Sequence, residues 1–273
     1  MQTAASPQRE SSSTNVAAKA WVGFHSAMAG VVTFLHGFSQ HGDSWDELIG
    51  LLPPGMRSLA PDVRATTLAD AEAELLGLWD REGVRQCHLV GYSQGGRIAL
   101  WVACRHTERL LTLTTIGAHA GFEGEARERR LVEDRELADR IERRGVDWFA
   151  SHWAGLPMFA GLADRGPAVN AHLDASRRRN DPAHLAATLR GLGAGAVEPF
   201  WDRLGGIAVP TLVLAGAEDG RYAAFAERLG AAIAGARVAL VAQAGHAAHL
   251  ERPAAVAALL REHLALVPAG REG

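Results

Sequence analysis

A serine with chemically useful neighbours stands in residues 90–97, which read Val-Gly-Tyr-Ser-Gln-Gly-Gly-Arg. Ser93 lies between Gly91 and Gly95, after one apolar run and before another. This spacing predicts a strand, a tight turn and a helix, with the serine exposed in the turn. The helix N-terminus favours negative charge at the serine. From these residues alone, the alternative is a glycine-rich corner that carries an incidental serine.

Two later residues supply the partners that a reactive serine needs. Asp219 and His246 each follow an apolar run, as Ser93 does. A histidine can accept the serine proton, and a carboxylate can orient the imidazole and stabilise its charge. Parallel strands bring their carboxyl ends to one edge, so we expect the three residues to meet there. Glu218 is an alternative acid, and we interpret His249 as a packing or supporting residue.

The elements that would position these residues alternate between strands and helices. Strands are predicted at 30–35, 56–62, 87–90, 109–115, 210–215 and 236–242, with a weak edge strand at 20–24. Helices are predicted at 43–52, 68–82 with Thr67 as its cap, from 98 onward, at 223–234 and at 253–266. This alternation predicts an α/β fold with a mostly parallel central sheet flanked by helices.

The alternation stops within residues 118–197, where charges are frequent and no strand is predicted. Helical segments are predicted there at 125–144, 147–153, 168–179 and 182–192. We therefore expect an inserted helical lid (118–197) between two parts of the core (19–117 and 198–273). Residues 1–18 are polar and are predicted to form a disordered tail.

Composition excludes several classes of protein. The 273 residues are 48% hydrophobic and carry a net charge of -3, which argues against a nucleic-acid partner. No run is apolar enough to cross a membrane or to serve as a secretory signal. The two cysteines, Cys87 and Cys104, fit a reducing compartment, so we expect a cytoplasmic protein. No metal-binding spacing occurs, and neither a metal nor a cofactor is expected. The oligomeric state is left open.

These motifs resemble those of the α/β-hydrolase superfamily over about residues 20–268. The serine turn, the order Ser-Asp-His and the sequence His36-Gly37-Phe38-Ser39 carry the resemblance. It implies that the backbone N–H groups of Phe38 and Gln94 form an oxyanion hole. We interpret His36 as a structural hydrogen-bonding residue behind that loop.

Within the superfamily, the chain is similar to the family of 2-succinyl-6-hydroxy-2,4-cyclohexadiene-1-carboxylate (SHCHC) synthases of menaquinone biosynthesis. Arg97 directly after the glycines of the turn, Arg130 and Trp153 and Arg177 in the lid, and the stretch 189–195 carry this closer resemblance. It implies a lyase that eliminates pyruvate from a tricarboxylate, with Ser93 as base and His246 and Asp219 as its partners. The implied substrate-binding residues are Tyr92, Arg97, Arg130, Trp153, Arg177 and Arg221.

The chain departs from that family at two places. After the strand that ends at Asp62, residues 63–67 replace the usual Pro-Gly-His-Gly loop, and Arg221 stands where a lysine is frequent. The same triad without an arginine clamp would suit a serine carboxylesterase or thioesterase that forms an acyl-enzyme. A non-catalytic binding protein of this fold is the third reading, and the complete triad argues against it.

Overall fold

Six parallel strands form the centre of the protein, for which a computed structural model describes residues 30–267. They are β1 (Val31–Leu35), β2 (Arg57–Leu59), β3 (Cys87–Tyr92), β4 (Leu110–Ile116), β5 (Thr211–Gly216) and β6 (Arg237–Val241). Their order across the sheet is β2-β1-β3-β4-β5-β6. The chain reverses direction across the sheet between β1 and β3, and ligands of such sheets bind beyond the carboxyl ends of the strands at that point. The mostly parallel central sheet predicted from the sequence is confirmed.

Helices cover both faces of the sheet, because the strands are apolar on both sides. Leu89 of β3 packs with α2 (Leu68–Arg81), α3 (Gln94–Arg105) and α7 (Gly220–Ala232) on one face. The next residue, Val90, packs on the other face with α1 (Asp46–Gly50) and α9 (Pro253–Leu264). Trp45 and Trp79 are fully buried on opposite faces.

Three helices and one 3₁₀ segment lie within residues 124–192, between β4 and β5. They are α4 (Gly124–Ala154), a 3₁₀ segment (Pro157–Arg165), α5 (Pro167–Arg178) and α6 (Pro182–Leu192). Helical geometry breaks inside α4 at Gly145, which has φ 78° and ψ 177°. That break separates the two helices predicted at 125–144 and 147–153. Residues 124–192, called the helical insertion below, have a small apolar core between α4 and α6, built around Ile141, Phe149 and Leu185.

The predicted elements differ from the observed ones mainly at their ends. The strand predicted at 56–62 is only three residues long as β2, because Pro61 has no N–H to donate to a ladder. The first helix begins as a 3₁₀ turn (Gly42–Trp45) before α1. The 3₁₀ segments Thr107–Arg109 and Trp201–Gly206 and the short α8 (Ala248–Glu251) were not predicted. The tail predicted at 1–18 and the strand predicted at 20–24 lie outside the described residues.

Two features are absent from residues 30–267. No helix in this part of the chain combines the length and the apolarity that crossing a membrane requires. Nor does it contain a cluster of three or more His, Cys, Asp or Glu side chains suited to hold a metal ion.

Gly216, the last residue of β5, offers a test of how the loops after β5 and β6 are held. A Cβ at Gly216 would overlap the backbone carbonyl oxygens of Ala244 and Gly245, whereas a Cβ at Gly220 would meet nothing within 4 Å. Gly216→Ala should lower the free energy of unfolding, measured by urea titration, by about 1–3 kcal/mol. Gly220→Ala, in the first turn of α7, should be neutral or stabilising by up to about 1 kcal/mol. Equal stabilities of the two variants would contradict this packing.

Candidate active site

Ser93 lies in a strained turn between β3 and α3. Its φ of 52° and ψ of -109° fall where residues other than glycine are rare. The glycines on either side permit this turn. A Cβ at Gly91 would overlap the carbonyl oxygen of Gly95, and a Cβ at Gly95 would overlap that of Leu35. The predicted turn is therefore present, and its two glycines have the steric role expected of them.

The three residues predicted to act together form one hydrogen-bonded chain. The Ser93 Oγ lies 3.0 Å from the His246 Nε2, and the His246 Nδ1 lies 2.8 Å from the Asp219 Oδ2. Asp219 also caps α7, because its Oδ1 accepts a hydrogen bond from the Tyr222 N–H at 3.3 Å. Glu218 is exposed, so Asp219 is the carboxylate that meets the histidine. This geometry suits a serine whose proton passes to His246.

A buried carboxylate holds the loop that carries His246. Glu251 is 2% exposed, and its two oxygens accept hydrogen bonds from the backbone N–H groups of Gly245 and Ala247 at 2.7 and 3.1 Å. These are the residues directly before and after His246. Glu251 lies in the unpredicted α8, and sequence reasoning missed its role. The only sequence signal was an acid five residues after the histidine.

Behind the triad, the ring of His249 packs against two aromatic rings. The His249 ring packs 4.3 Å from the ring of Tyr92 and 4.5 Å from that of Trp45, measured between centroids. Both of its ring nitrogens are buried without a hydrogen-bond partner in the described part of the chain, and burial lowers the pKa of His249 to about 3. The packing role predicted for His249 is confirmed. His36 is likewise structural, since its Nε2 accepts a hydrogen bond from the Val63 N–H at 3.0 Å.

A cavity of about 310 Å³ opens in front of Ser93, between the sheet and the helical insertion. Phe38 and Gln94, the predicted oxyanion-hole residues, both line it. Gln94 is the first residue of α3, where a backbone N–H has no partner within the helix. The Phe38 ring packs edge to face on Trp153 of the insertion at 5.3 Å. Both predicted donors therefore come from residues beside Ser93 at the carboxyl ends of β1 and β3.

Arg97 connects the serine helix to the helical insertion. It lies one turn after Ser93 on α3, lines the cavity and is 5% exposed. Its Nη2 donates to the Leu192 carbonyl oxygen at the end of α6 (2.7 Å), and its Nη1 lies 3.1 Å from the His119 Nε2. Burial lowers the pKa of Arg97 to about 10 and that of His119 well below its usual value, so His119 faces Arg97 as a neutral ring. The Arg97 Nε has no hydrogen-bond partner within residues 30–267.

Arg130 enters the cavity from α4 together with an acid. Its Nε lies 2.8 Å from the Asp134 Oδ1. The Asp134 Oδ2 accepts a hydrogen bond from the Gly195 N–H at 3.0 Å, within the stretch 189–195 noted in the sequence. Burial raises the pKa of Asp134 in spite of Arg130. The charge of Arg130 is therefore partly balanced inside the protein.

Arg177, Tyr92 and Trp153 also line the cavity. Arg177 forms no ion pair with a carboxylate in residues 30–267, unlike its neighbour Arg178, which pairs with Asp174 at 2.7 Å. Burial lowers the pKa of Arg177, and Asp174 and Tyr92 oppose that shift. An anion would be a better partner for this arginine than the apolar wall around it.

One predicted substrate ligand does not reach the cavity. Arg221 is exposed and absent from the lining, whereas the next residue, Tyr222, lines it and packs 4.2 Å from the ring of His246. Because α7 begins at Gly220, a turn of about 100° between neighbours directs one side chain outward and the next inward. The prediction of Arg221 was wrong in its placement, and Tyr222 and Arg140 are lining residues that were missed.

The fold and the triad geometry together define an α/β hydrolase, and comparison with known proteins agrees. The chain belongs to the α/β hydrolase family, whose model matches residues 34–259. It is 33% identical over 245 residues to the 2-succinyl-6-hydroxy-2,4-cyclohexadiene-1-carboxylate synthase of Serratia proteamaculans (85% of this chain, 91% of that one). It is 32% identical to the synthase of the same name from Klebsiella pneumoniae (86% and 93%). The solved structure of MenH from S. aureus matches with a TM-score of 0.81 at 25% identity (86% and 93%).

Burial of His249 should make the protein sensitive to acid. The pKa of His249 is about 3 in the folded protein and 6.5 in the unfolded chain. Above pH 6.5 the ring is neutral in both states, so its ionisation costs the folded protein no stability there. As the pH falls from 6.5 towards 3, only the unfolded chain takes up the proton, and the free energy of unfolding falls by roughly 1.4 kcal/mol per pH unit. His249→Leu has no such proton to take up. The free energy of unfolding of the wild type, minus that of this variant, should therefore fall steadily from pH 6.5 to pH 4.5. A difference independent of pH would show that His249 does not titrate as described.

Glu251→Gln should slow the reaction of Ser93 with a fluorophosphonate by about 10- to 100-fold, because His246 loses its alignment. A glutamine can accept from only one of the two backbone N–H groups and presents its NH₂ to the other. Glu218→Gln, which alters an exposed acid close to the same site, is the matched control and should label at the wild-type rate. If Glu251→Gln is less stable yet labels as fast as wild type once folded, Glu251 has no role in positioning His246.

Proposed function

We propose that the protein is a 2-succinyl-6-hydroxy-2,4-cyclohexadiene-1-carboxylate synthase, a lyase of menaquinone biosynthesis. The observation that carries the proposal is the combination, in one cavity, of the Ser93–His246–Asp219 chain with the buried or half-buried arginines Arg97, Arg130 and Arg177. A simple ester hydrolase needs the chain but not the arginines. Relatives of that name that are 32–33% identical over most of the chain support the same reaction.

The reaction breaks one C–H bond and one C–O bond, and it consumes no water. In the substrate, 2-succinyl-5-enolpyruvyl-6-hydroxy-3-cyclohexene-1-carboxylate, Ser93 takes the proton from ring position 2 and passes its own proton to His246. Negative charge develops on the adjacent succinyl keto oxygen, which receives hydrogen bonds from the N–H groups of Phe38 and Gln94. The double bond between ring positions 3 and 4 is replaced by two double bonds, one between positions 2 and 3 and one between positions 4 and 5. The C–O bond at position 5 breaks, and the enolate that leaves becomes pyruvate on taking a proton.

The arginines bind the carboxylates of this substrate. Guanidinium groups offer paired N–H donors that match a carboxylate, and a largely buried site strengthens such bonds. Arg97 and Arg130 lie together near Ser93, while Arg177 approaches from the side of Tyr92. Trp153 and Tyr92 form the walls between them. Asp219 keeps the imidazolium of His246 stable while the proton is held there.

Release of pyruvate separates this function from ester hydrolysis. Wild-type protein should release one pyruvate per substrate consumed, and Ser93→Ala should release almost none. Pyruvate can be followed through its reduction by lactate dehydrogenase and NADH, with p-nitrophenyl acetate hydrolysis measured in parallel. Brisk hydrolysis of the acetate without any pyruvate would identify an esterase or thioesterase instead.

A further inference from the structure

One face of α4 forms a continuous wall of the active-site cavity. The wall residues are spaced as one stripe of a helix, and they are Arg130, Glu133, Asp134, Leu137 and Arg140. At 100° per residue they fall within an arc of about 120°, and Arg130 and Arg140 are about 15 Å apart along the helix axis. The wall therefore presents a cation at each end. Arg130 lies at the end of the wall near Asp134 and near Arg97 of α3. Arg140 lies at the far end.

Arg140 has a different environment from the paired arginines of the helical insertion. It is half-buried, its Nε is buried without a hydrogen-bond partner, and it forms no ion pair with a carboxylate anywhere in residues 30–267. Asp139 and Glu142, the acids closest to it in sequence, both bind Arg190. Glu136, one helical turn earlier, borders a surface cavity with Arg140 but is exposed and forms no ion pair with it within residues 30–267. A half-buried guanidinium without an anion is costly, whereas the same group with a bound carboxylate is stabilised.

The surroundings hold Arg140 in place and add to the need for negative charge. Its guanidinium carbon lies 5.7 Å from the centre of the Trp148 ring, at a cation–π distance. His152 also lines the cavity, and its ring stacks on the Trp148 ring with the two centroids 4.8 Å apart. Burial and then the charges of Arg140 and Arg144 lower the pKa of His152. No acid among the lining residues lies beyond Asp134 towards this end of α4.

We propose that Arg140 is a specificity-determining residue that binds a substrate carboxylate remote from the carbon that loses its proton. This inference rests on the proposed synthase function. The substrate carries three carboxylates, and the cavity offers three separate cationic positions: Arg97 with Arg130, Arg177, and Arg140. A substrate that lacked the remote carboxylate would leave Arg140 without an anion, so this end of the cavity selects for a long polyanionic substrate.

The test compares Arg140→Gln and Arg140→Lys with Arg143→Gln, which removes an exposed arginine three residues further along α4. Pyruvate release gives kcat and KM for each variant, and thermal unfolding gives its stability. Arg140→Gln should raise KM about tenfold or more and leave kcat nearly unchanged, because the lost contact is made in ground state and transition state alike. Arg140→Lys should recover part of the affinity. Arg143→Gln should match wild type.

Inhibition by the product, SHCHC, then shows which carboxylate is bound. The product keeps the ring and succinyl carboxylates and has lost the enolpyruvyl one. A rise in both KM and the product Ki in Arg140→Gln supports binding of a retained carboxylate, and a rise in KM alone supports binding of the departing one. If Arg140→Gln has the KM of Arg143→Gln, with or without a lower melting temperature, the role of Arg140 is overturned. If wild type releases no pyruvate, the proposed function itself fails, and this inference falls with it.

Discussion

Close backbone packing around Ser93 is the constraint on which the site depends. Gly91, Gly95 and the carboxyl end of β1 approach so closely that no side chain fits between them. This packing keeps Ser93 at a positive φ that costs about 1–3 kcal/mol in an isolated residue. The strain directs the Oγ out of the sheet and towards His246. It also places the first N–H of α3 beside the loop after β1, which carries Phe38.

Charge determines what the strained serine does. Ser93, His246 and Asp219 alone would suit either attack on an ester or removal of a proton. In the proposed function the arginines change the balance, because they would hold a polyanion in a fixed position with its carbon acid against the serine. Arg97 couples this task to the architecture, since its Nη2 donates a hydrogen bond to the end of α6 and the residue also lines the cavity. A change in the packing of the helical insertion would therefore also change the charge presented to the substrate.

The local signals in the sequence were sufficient for the fold and the triad. Turn glycines, apolar runs and a capped helix at Thr67 depend on neighbours in sequence, and the structure follows them closely. What sequence could not give was the rotation of side chains at the ends of elements and in the insertion. Arg221 and Tyr222 exchange inward and outward positions because α7 begins at Gly220. Arg140 becomes a lining residue only through the way α4 packs against α6. Glu251 matters only because a short helix returns it beneath His246. Choice between Glu218 and Asp219 likewise needed the distance to the imidazole.

The central claim is that Ser93 exchanges a proton with the substrate and forms no covalent bond to it. Intact-protein mass spectrometry of samples quenched during steady-state turnover tests this claim most directly. The expected result is that the mass of the unmodified chain persists while pyruvate accumulates. A population of enzyme carrying a substrate-derived adduct on Ser93, formed and lost at the rate of turnover, would contradict the claim and indicate an acyl-enzyme mechanism.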